Sequence, residues 1–318
     1  MSVVAGCSLF DGVLLAADCR ATIQRRDKST IHSDSVLKVL ALMKHTAIAF
    51  VGDIDVAAYL IKTLIINLKN RKHRDPISLS LWMPRFFRYK LNEFTAKNGD
   101  RKVVFMVASV LRNRRNLVER KAVVDLFKYI TSDKSPIKRN WIPQLLIEAI
   151  KVPEHFRWIE IPNTFRNLLY TLESPNFDIQ FYAPLQCTAI GSGESCLEHL
   201  ELYHDAIFAL DLGNSFVEGE QFRSIINNFI DEKGIASVGG LYPVIKISSK
   251  GLEHLGVNTT VPVGGTRIEL FFQNGRWIQR NISEKKEIHI VPPWEFIKSK
   301  AFSERFDDLN YAMRRFRS

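Results

Sequence analysis

The chain opens on two short runs with almost no polar position inside them. Residues 2–8 (Ser-Val-Val-Ala-Gly-Cys-Ser) are small or β-branched, and residues 13–17 (Val-Leu-Leu-Ala-Ala) are uniformly apolar. Phe10-Asp11-Gly12 between them carries turn chemistry, so the pattern predicts a buried β-hairpin. Folding about Phe10-Asp11 pairs Ser8 with Val13 and sets Ser2 beside Asp18 and Cys19. Further along, residues 36–42 form an apolar run broken only by Lys38, and residues 46–51 form another that ends at Gly52. Asp53 is placed to cap a helix from Ile54 to about Leu68, apolar over most of its surface and so expected between layers. A second helix is expected over 79–96, with Pro84 marking a kink or a late start. Residues 102–111 read as a strand.

The texture then changes. Residues 112–176 are basic, punctuated by proline and amphipathic at 123–130 and 141–150, which predicts a helical insertion. Strands resume at 177–182 and 187–190, the latter running into Gly191-Ser192-Gly193. Helices follow at 196–210 and 220–233. The second shows Phe222, Ile225, Ile226, Phe229 and Ile230 on one face and Gly234 as its stop. Residues 235–247 return to strand with Gly239-Gly240 inside, where the backbone is closely approached. Residues 267–272 and 277–280 flank Gln273-Asn274-Gly275, a strong hairpin signal. This order fits an α+β fold: a four-layer αββα sandwich of two antiparallel sheets with helix pairs outside. The expected organisation is one domain over 1–250, interrupted by the insertion at 112–176. A C-terminal extension over 251–318 adds a β-hairpin and a terminal helix.

Composition narrows the function classes. The 318 residues are 46% hydrophobic and 25% charged, ordinary for a soluble globular protein. No apolar run approaches the roughly 18–20 residues of a membrane span, and no signal-peptide pattern is present, so a cytoplasmic location is expected. Cys7, Cys19, Cys187 and Cys196 lack metal-type spacing and read as reduced structural thiols. With no metal spacing among the histidines and no Gly-rich phosphate loop, neither metal nor cofactor is expected. The net charge of +10 concentrates at 20–28, 69–74, 112–121 and 314–317. Such patches attract nucleic acid or acidic partners. The aromatic interleaving of nucleic-acid modules is missing, so nucleic acid is not the expected partner and a solvated or subunit-facing surface is.

The candidate chemistry lies at the start. Met1 precedes a very small residue, and such an initiator is normally trimmed. Trimming leaves Ser2 with a hydroxyl and a free α-amine of ordinary pKa about 7.7–8.0. A hydroxyl beside such a base is an N-terminal-nucleophile arrangement.

Five pieces in order carry a resemblance: Ser2-Val-Val-Ala, Leu15-Ala-Ala-Asp18-Cys-Arg-Ala-Thr22, Leu37-Lys38-Val39, Ala49-Phe-Val-Gly52-Asp and Ala189-Ile-Gly-Ser192-Gly. On these the chain resembles proteasome β subunits and, more closely, HslV, the bacterial peptidase partnered by an ATPase. The likeness covers 1–69 well and 102–111 and 177–247 moderately, and does not extend to 112–176 or 251–318. It implies that Ser2 is the nucleophile and its own amine the general base, with Lys38 favouring the alkoxide and Asp18 holding Lys38. Gly52 would supply the oxyanion hole and Ser192 would support the amine. Thr22 and Gly52 would pair with an extended peptide as an added strand.

The resemblance also places Ala21, Val36, Phe50 and Ile54 around the side chain that precedes the cleaved bond. All four are apolar, so small or medium apolar residues are expected there, with Phe50→Gly widening acceptance toward aromatics. It implies a peptide or protein substrate, a homo-oligomer (a ring or a smaller assembly), and an ATPase or other protein partner. Two departures stand out. Ser2 occupies the family's usual Thr position, and Ile235-Ala-Ser-Val238-Gly-Gly stands where the family often carries Asp-x-x-Ser-Gly-Gly. A catalytically inactive proteasome-fold scaffold or partner-binding subunit is therefore the alternative expectation.

Overall fold

Alternation within the strands decides what each sheet face packs against. A computed structural model describes residues 2–9, 11–24, 30–70, 76–99, 101–111, 117–132, 147, 150–153, 155, 157–160, 166–182, 186–192, 197–198, 200, 215–233, 242–255, 259–263 and 266–299. The first strands are β1 (Val3–Ser8), β2 (Gly12–Ala17), β3 (Ala21–Gln24), β4 (Thr30–Ser33), β5 (Val39–Met43) and β6 (Thr46–Gly52). Helices α1 (Ile54–Asn70) and α2 (Pro76–Asn98) follow, then β7 (Val103–Val110), β8 (Leu117–Glu119), α3 (Arg120–Thr131) and β9 (Trp158–Glu160). Next come β10 (Asn167–Glu173), β11 (Asp178–Tyr182), β12 (Cys187–Gly191) and α4 (Ser215–Lys233). The C-terminal part holds β13 (Val244–Ser248), β14 (Gly251–Leu255), β15 (Thr259–Val263), β16 (Thr266–Gln273), β17 (Arg276–Asn281), β18 (Lys286–Ile290) and α5 (Pro293–Phe296).

Two sheets of five strands carry the core, in the orders β12-β1-β2-β13-β14 and β11-β10-β7-β6-β5. In β6 the bulky Ile48 and Phe50 join one cluster with α1, α2 and α3, whereas Ala47, Ala49 and Val51 join another. The second cluster also takes Val4, Val13, Leu15, Ala17, Ile245 and Ile247 from the first sheet, so the two sheets share it. Small residues let them approach: a Cβ on Gly6 would lie 2.8 Å from Met106 Sδ. The opposite face of the first sheet, with Val3, Ala5, Leu14 and Ala16, packs on Phe222 and Ile226 of α4. Period-two alternation thus sends successive residues of each strand to opposite faces, and in β6 it turns Ile48 and Phe50 toward the helices and Ala47 and Ala49 toward the facing sheet. This mixed helix and sheet content is that of an α+β fold.

The N-terminal hairpin forms in the expected register, Ser8 opposite Val13 and Val4 opposite Ala17. Lys246, 5% exposed, reaches from β13 to Asp11 in the turn at 2.8 Å. Asp53 Oδ1 accepts the N–H groups of Asp55 (2.9 Å) and Val56 (3.1 Å), capping α1 as expected. At the other end of the chain, Asn274 (φ 53°) and Gly275 (φ 74°) make the tight turn between β16 and β17. Consecutive positive φ values are what the Asn-Gly pair was expected to supply.

Several expectations are corrected. The strand expected over 36–42 starts only at Val39; Val36 instead makes a parallel bridge with Val291. The helix expected from 79 begins at Pro76, where a missing N–H costs nothing, and runs through Pro84. Within the stretch read as a helical insertion, α3 is helix, but β8, β9 and β10 are strands. Residues 167–173 lie inside the second sheet, paired on both sides with β7 and β11. Six consecutive buried positions in Asn167–Leu172 explain the misreading: a strand covered on both faces shows no alternation. Met1, Phe10, Gly193, Gly234, Gly239-Gly240, most of the helix expected at 196–210, most of the stretch at 141–150 and the terminal helix lie outside the described residues.

Candidate active site

The hairpin brings Ser2 to the point where β2 ends. Asp18 follows β2 directly, its N–H bonding Val3 O at 3.0 Å while Asp18 Oδ1 accepts Val3 N–H at 2.9 Å. Asp18 Oδ2 accepts Arg20 N–H at 3.1 Å, so the side chain closes its own turn as well as the hairpin. Lys38 enters just before β5, where its carbonyl accepts Phe50 N–H at 3.2 Å from β6. From there Lys38 Nζ reaches Asp18 Oδ2 at 2.8 Å, Ser2 Oγ at 2.7 Å and the Arg20 carbonyl oxygen. Ser2, Asp18 and Lys38 are all buried, Asp18 with no exposed surface.

Counting donors shows what each group does. A lysine ammonium has three N–H groups and no acceptor, and all three are taken here by oxygen. Ser2 Oγ is therefore an acceptor toward Lys38, and its own hydroxyl proton must point to a different base. An ionised Asp18 accepts three hydrogen bonds, from Val3, Arg20 and Lys38. Burial nevertheless pushes the Asp18 carboxyl above the ordinary aspartate range, with the Lys38 charge and these hydrogen bonds working against it. Cys19, buried next to Asp18, has its thiol raised well above the ordinary value by burial and by the Asp18 charge. A thiol held neutral in this way is not a nucleophile.

The other expected residues take distinct places. Ser192 donates its backbone N–H to Ser2 O at 2.9 Å, and its hydroxyl has no partner among the described residues. Its observed contact with Ser2 is thus through the backbone. Gly191 at φ 72° makes this possible: a Cβ there would sit 2.3 Å from Ser2 O and 3.1 Å from Val51 Cγ1. Val51 is thereby beside the nucleophile's backbone, and Gly52 follows it at the exposed end of β6 with φ 104°. Thr22 is exposed on β3, which pairs only with β4 among the described residues.

The four expected pocket residues are not an open pocket. Ala21, Val36 and Phe50 are 8%, 0% and 1% exposed, all in the cluster with α1 and α2, and Ile54 packs against it. A cavity of about 740 Å³ instead borders Gly191 and Val51, between Ile190, Thr188, Glu173 and Gln180.

Sequence reasoning missed Arg20. It was grouped with the surface charges, but its guanidinium grips Asp34 through Nε (2.7 Å) and Nη2 (2.9 Å), while its backbone touches both Asp18 and Lys38. The usable signal was the charge pairing: a carboxylate, Asp34, ends the basic loop that Arg20 begins.

The site's order along the chain meets an independent comparison. Residues 2–119 match the Proteasome subunit family. The match takes in Ser2, Asp18, Lys38 and Gly52 and stops well before Ser192. A search among curated proteins gave no match. Proteasome subunits generally comprise N-terminal-nucleophile peptidases and form oligomers. Among the described residues of this proteasome-like chain, no helix is long and apolar enough to cross a membrane, and no cluster of His, Cys, Asp and Glu suits a metal ion.

Proposed function

We propose that the chain is a proteasome-like N-terminal-serine hydrolase that cleaves peptide (amide) bonds once Met1 has been removed. The observation that carries this reading is the buried triangle of Ser2 Oγ, Lys38 Nζ and Asp18 Oδ2, with edges of 2.7 and 2.8 Å at Lys38. With Lys38 saturated as a donor, the α-amine of Ser2 takes the hydroxyl proton, directly or through a water. The Ser2 alkoxide adds to the substrate carbonyl, and the Lys38 ammonium lowers the cost of its charge. The Gly52 N–H stabilises the tetrahedral oxyanion. Collapse expels the amine with the proton held at the Ser2 amine, leaving an ester at Ser2 Oγ. Water then attacks that ester and restores the hydroxyl.

The packing of α1, α2 and α3 on one sheet and α4 on the other, with a shared cluster between the sheets, supports reading the fold as an αββα sandwich. The same reading makes the chain a cytoplasmic homo-oligomer, with an ATPase or other protein partner as in HslV. The decisive experiment is intact-mass and N-terminal analysis of the purified protein, followed by exposure to an electrophilic peptide. A chain starting at Ser2 and acylated there supports the hydrolase. Retained Met1, or an unreactive Ser2, leaves the inactive scaffold as the reading.

A further inference from the structure

The segment beyond residue 251 lies outside the family match, yet it packs against the two stretches that hold the candidate site. Strands β15 to β18 form a four-stranded antiparallel sheet. Its Ile268, Leu270, Trp277 and Ile290 make one apolar cluster with Cys19, the residue after Asp18. Leu37, the residue before Lys38, packs against that cluster as well and against two of the three clusters of the main sheets. Immediately after β18, Val291 donates its N–H to Ser35 O at 2.8 Å and accepts the Leu37 N–H on its carbonyl at 2.8 Å. Phe296 and Ile297 then bury themselves in the cluster that contains Ala21, Val36 and Phe50.

We propose that this C-terminal sheet, through Ile290 and Val291, is a positioning element that holds the Asp18 and Lys38 segments against each other. The proposal rests on the reading of Ser2 as nucleophile and assigns to the sheet no contact with substrate. Asp18 follows β2 and Lys38 precedes β5; Val36 N–H bonds Cys19 O at 3.1 Å, and each segment also has a neighbour fastened to the same third body. Without that body the Ser35–Leu37 segment loses two backbone hydrogen bonds and its bridge to Val291. A displacement of about 1 Å at Lys38 is enough to lower a rate by up to about 100-fold.

Val291→Pro tests this, because proline removes the N–H that bonds Ser35 O, while Val291→Ala keeps it. Two readouts are followed in the full-length protein. One is the rate of Ser2 acylation by an electrophilic peptide across pH; the other is the ¹³C shift of the Asp18 carboxyl across the same range. In Val291→Pro the acylation rate is expected to fall about 10- to 100-fold, with Val291→Ala near wild type. With Lys38 displaced, Asp18 loses its countercharge, so its titration and the acid limb of the rate both move to higher pH. Should Val291→Pro fail to fold, Ile290→Ala, which keeps every backbone bond, is expected to move both readouts in the same direction. Folded variants with unchanged titration and acid limb overturn the proposal. If the wild-type Ser2 is never acylated, the hydrolase reading fails, and the Asp18 titration alone still decides whether the sheet positions the pair.

Discussion

Lys38 Nζ stands 2.7 Å from Ser2 Oγ and directs its remaining N–H groups at Asp18 Oδ2 and Arg20 O. That relationship sets the Lys38 amino group beside the hydroxyl oxygen it donates to, in the place the proposed mechanism needs it. Ser2→Ala removes the attacking oxygen and is expected to abolish peptide turnover, a loss on the order of 10³-fold or more, while the fold survives. Ser2→Thr keeps the oxygen and is expected to retain turnover. Steady-state assays on a peptide library, with circular dichroism as the check on folding, separate the two variants. Equal turnover in Ser2→Ala and wild type removes Ser2 from the mechanism.

Truncating Lys38 to Met leaves Asp18 buried without its countercharge. Such uncompensated burial typically costs about 3–5 kcal/mol near neutral pH. Because burial already raises the Asp18 carboxyl, the variant is expected to take up a proton there and recover part of this loss as pH falls. Denaturant unfolding at neutral and mildly acidic pH measures the difference. A penalty independent of pH contradicts the assignment of the loss to Asp18.

The pH dependence of the wild type follows from the same carboxyl. A carboxyl raised in the folded state binds its proton more tightly there than in the unfolded chain. Its contribution to stability is therefore fullest below the unfolded value and is lost as pH rises through the folded one. On the proposed mechanism activity is expected to run the other way, since the Lys38 ion pair needs Asp18 ionised. The acid limb of turnover is expected above the pH at which an ordinary aspartate titrates, and Asp34→Asn, by loosening Arg20, is expected to disturb it. A pH–rate profile whose acid limb lies at the ordinary aspartate value speaks against Asp18.

Gly191 lies where a side chain cannot fit. Its φ of 72° disfavours any L residue, and a Cβ would press on Ser2 O at 2.3 Å. Gly191→Ala is expected to cost about 1–3 kcal/mol and to lower Ser2 acylation by shifting the Ser2 backbone away from Ser192. Thermal unfolding and acylation rate measured together test it. Unchanged values in both mean that β12 does not support the nucleophile.

How much of this was legible in the sequence depends on range along the chain. The Ser2–Asp18 hairpin, the Asp53 cap and the Asn274-Gly275 turn were readable because each is settled by residues a few positions apart. Ser2 was readable from its place behind a trimmable Met1 and its nearness to Asp18 from the hairpin register, whereas Lys38 and Gly52 were readable only through family resemblance; nothing local distinguishes Lys38 from an edge lysine. β10 was missed because Asn167–Leu172 is buried on both faces and gives no alternation. The docking of Ile290 and Val291 on Cys19 and Leu37 joins segments more than 250 residues apart, and no pattern in either segment announces it.

Phe50 gives the sharpest contrast between the two levels. By resemblance it is a bulky residue that fills part of a substrate pocket's floor, and Phe50→Gly should widen acceptance toward aromatics. In the structure it is 1% exposed, packed in the cluster with α1 and α2, and its N–H donates to the Lys38 carbonyl. Truncating a buried phenylalanine to Ala typically costs about 3–5 kcal/mol through lost transfer energy and the cavity left behind. Phe50→Ala is therefore expected to lower stability by that amount, and to lower turnover by loosening the strand that holds Lys38, before any gain of aromatic substrates. Denaturant titration together with peptide-library profiling checks both parts. A variant of wild-type stability that newly cleaves after aromatic residues would restore the open pocket and remove Phe50 from the core.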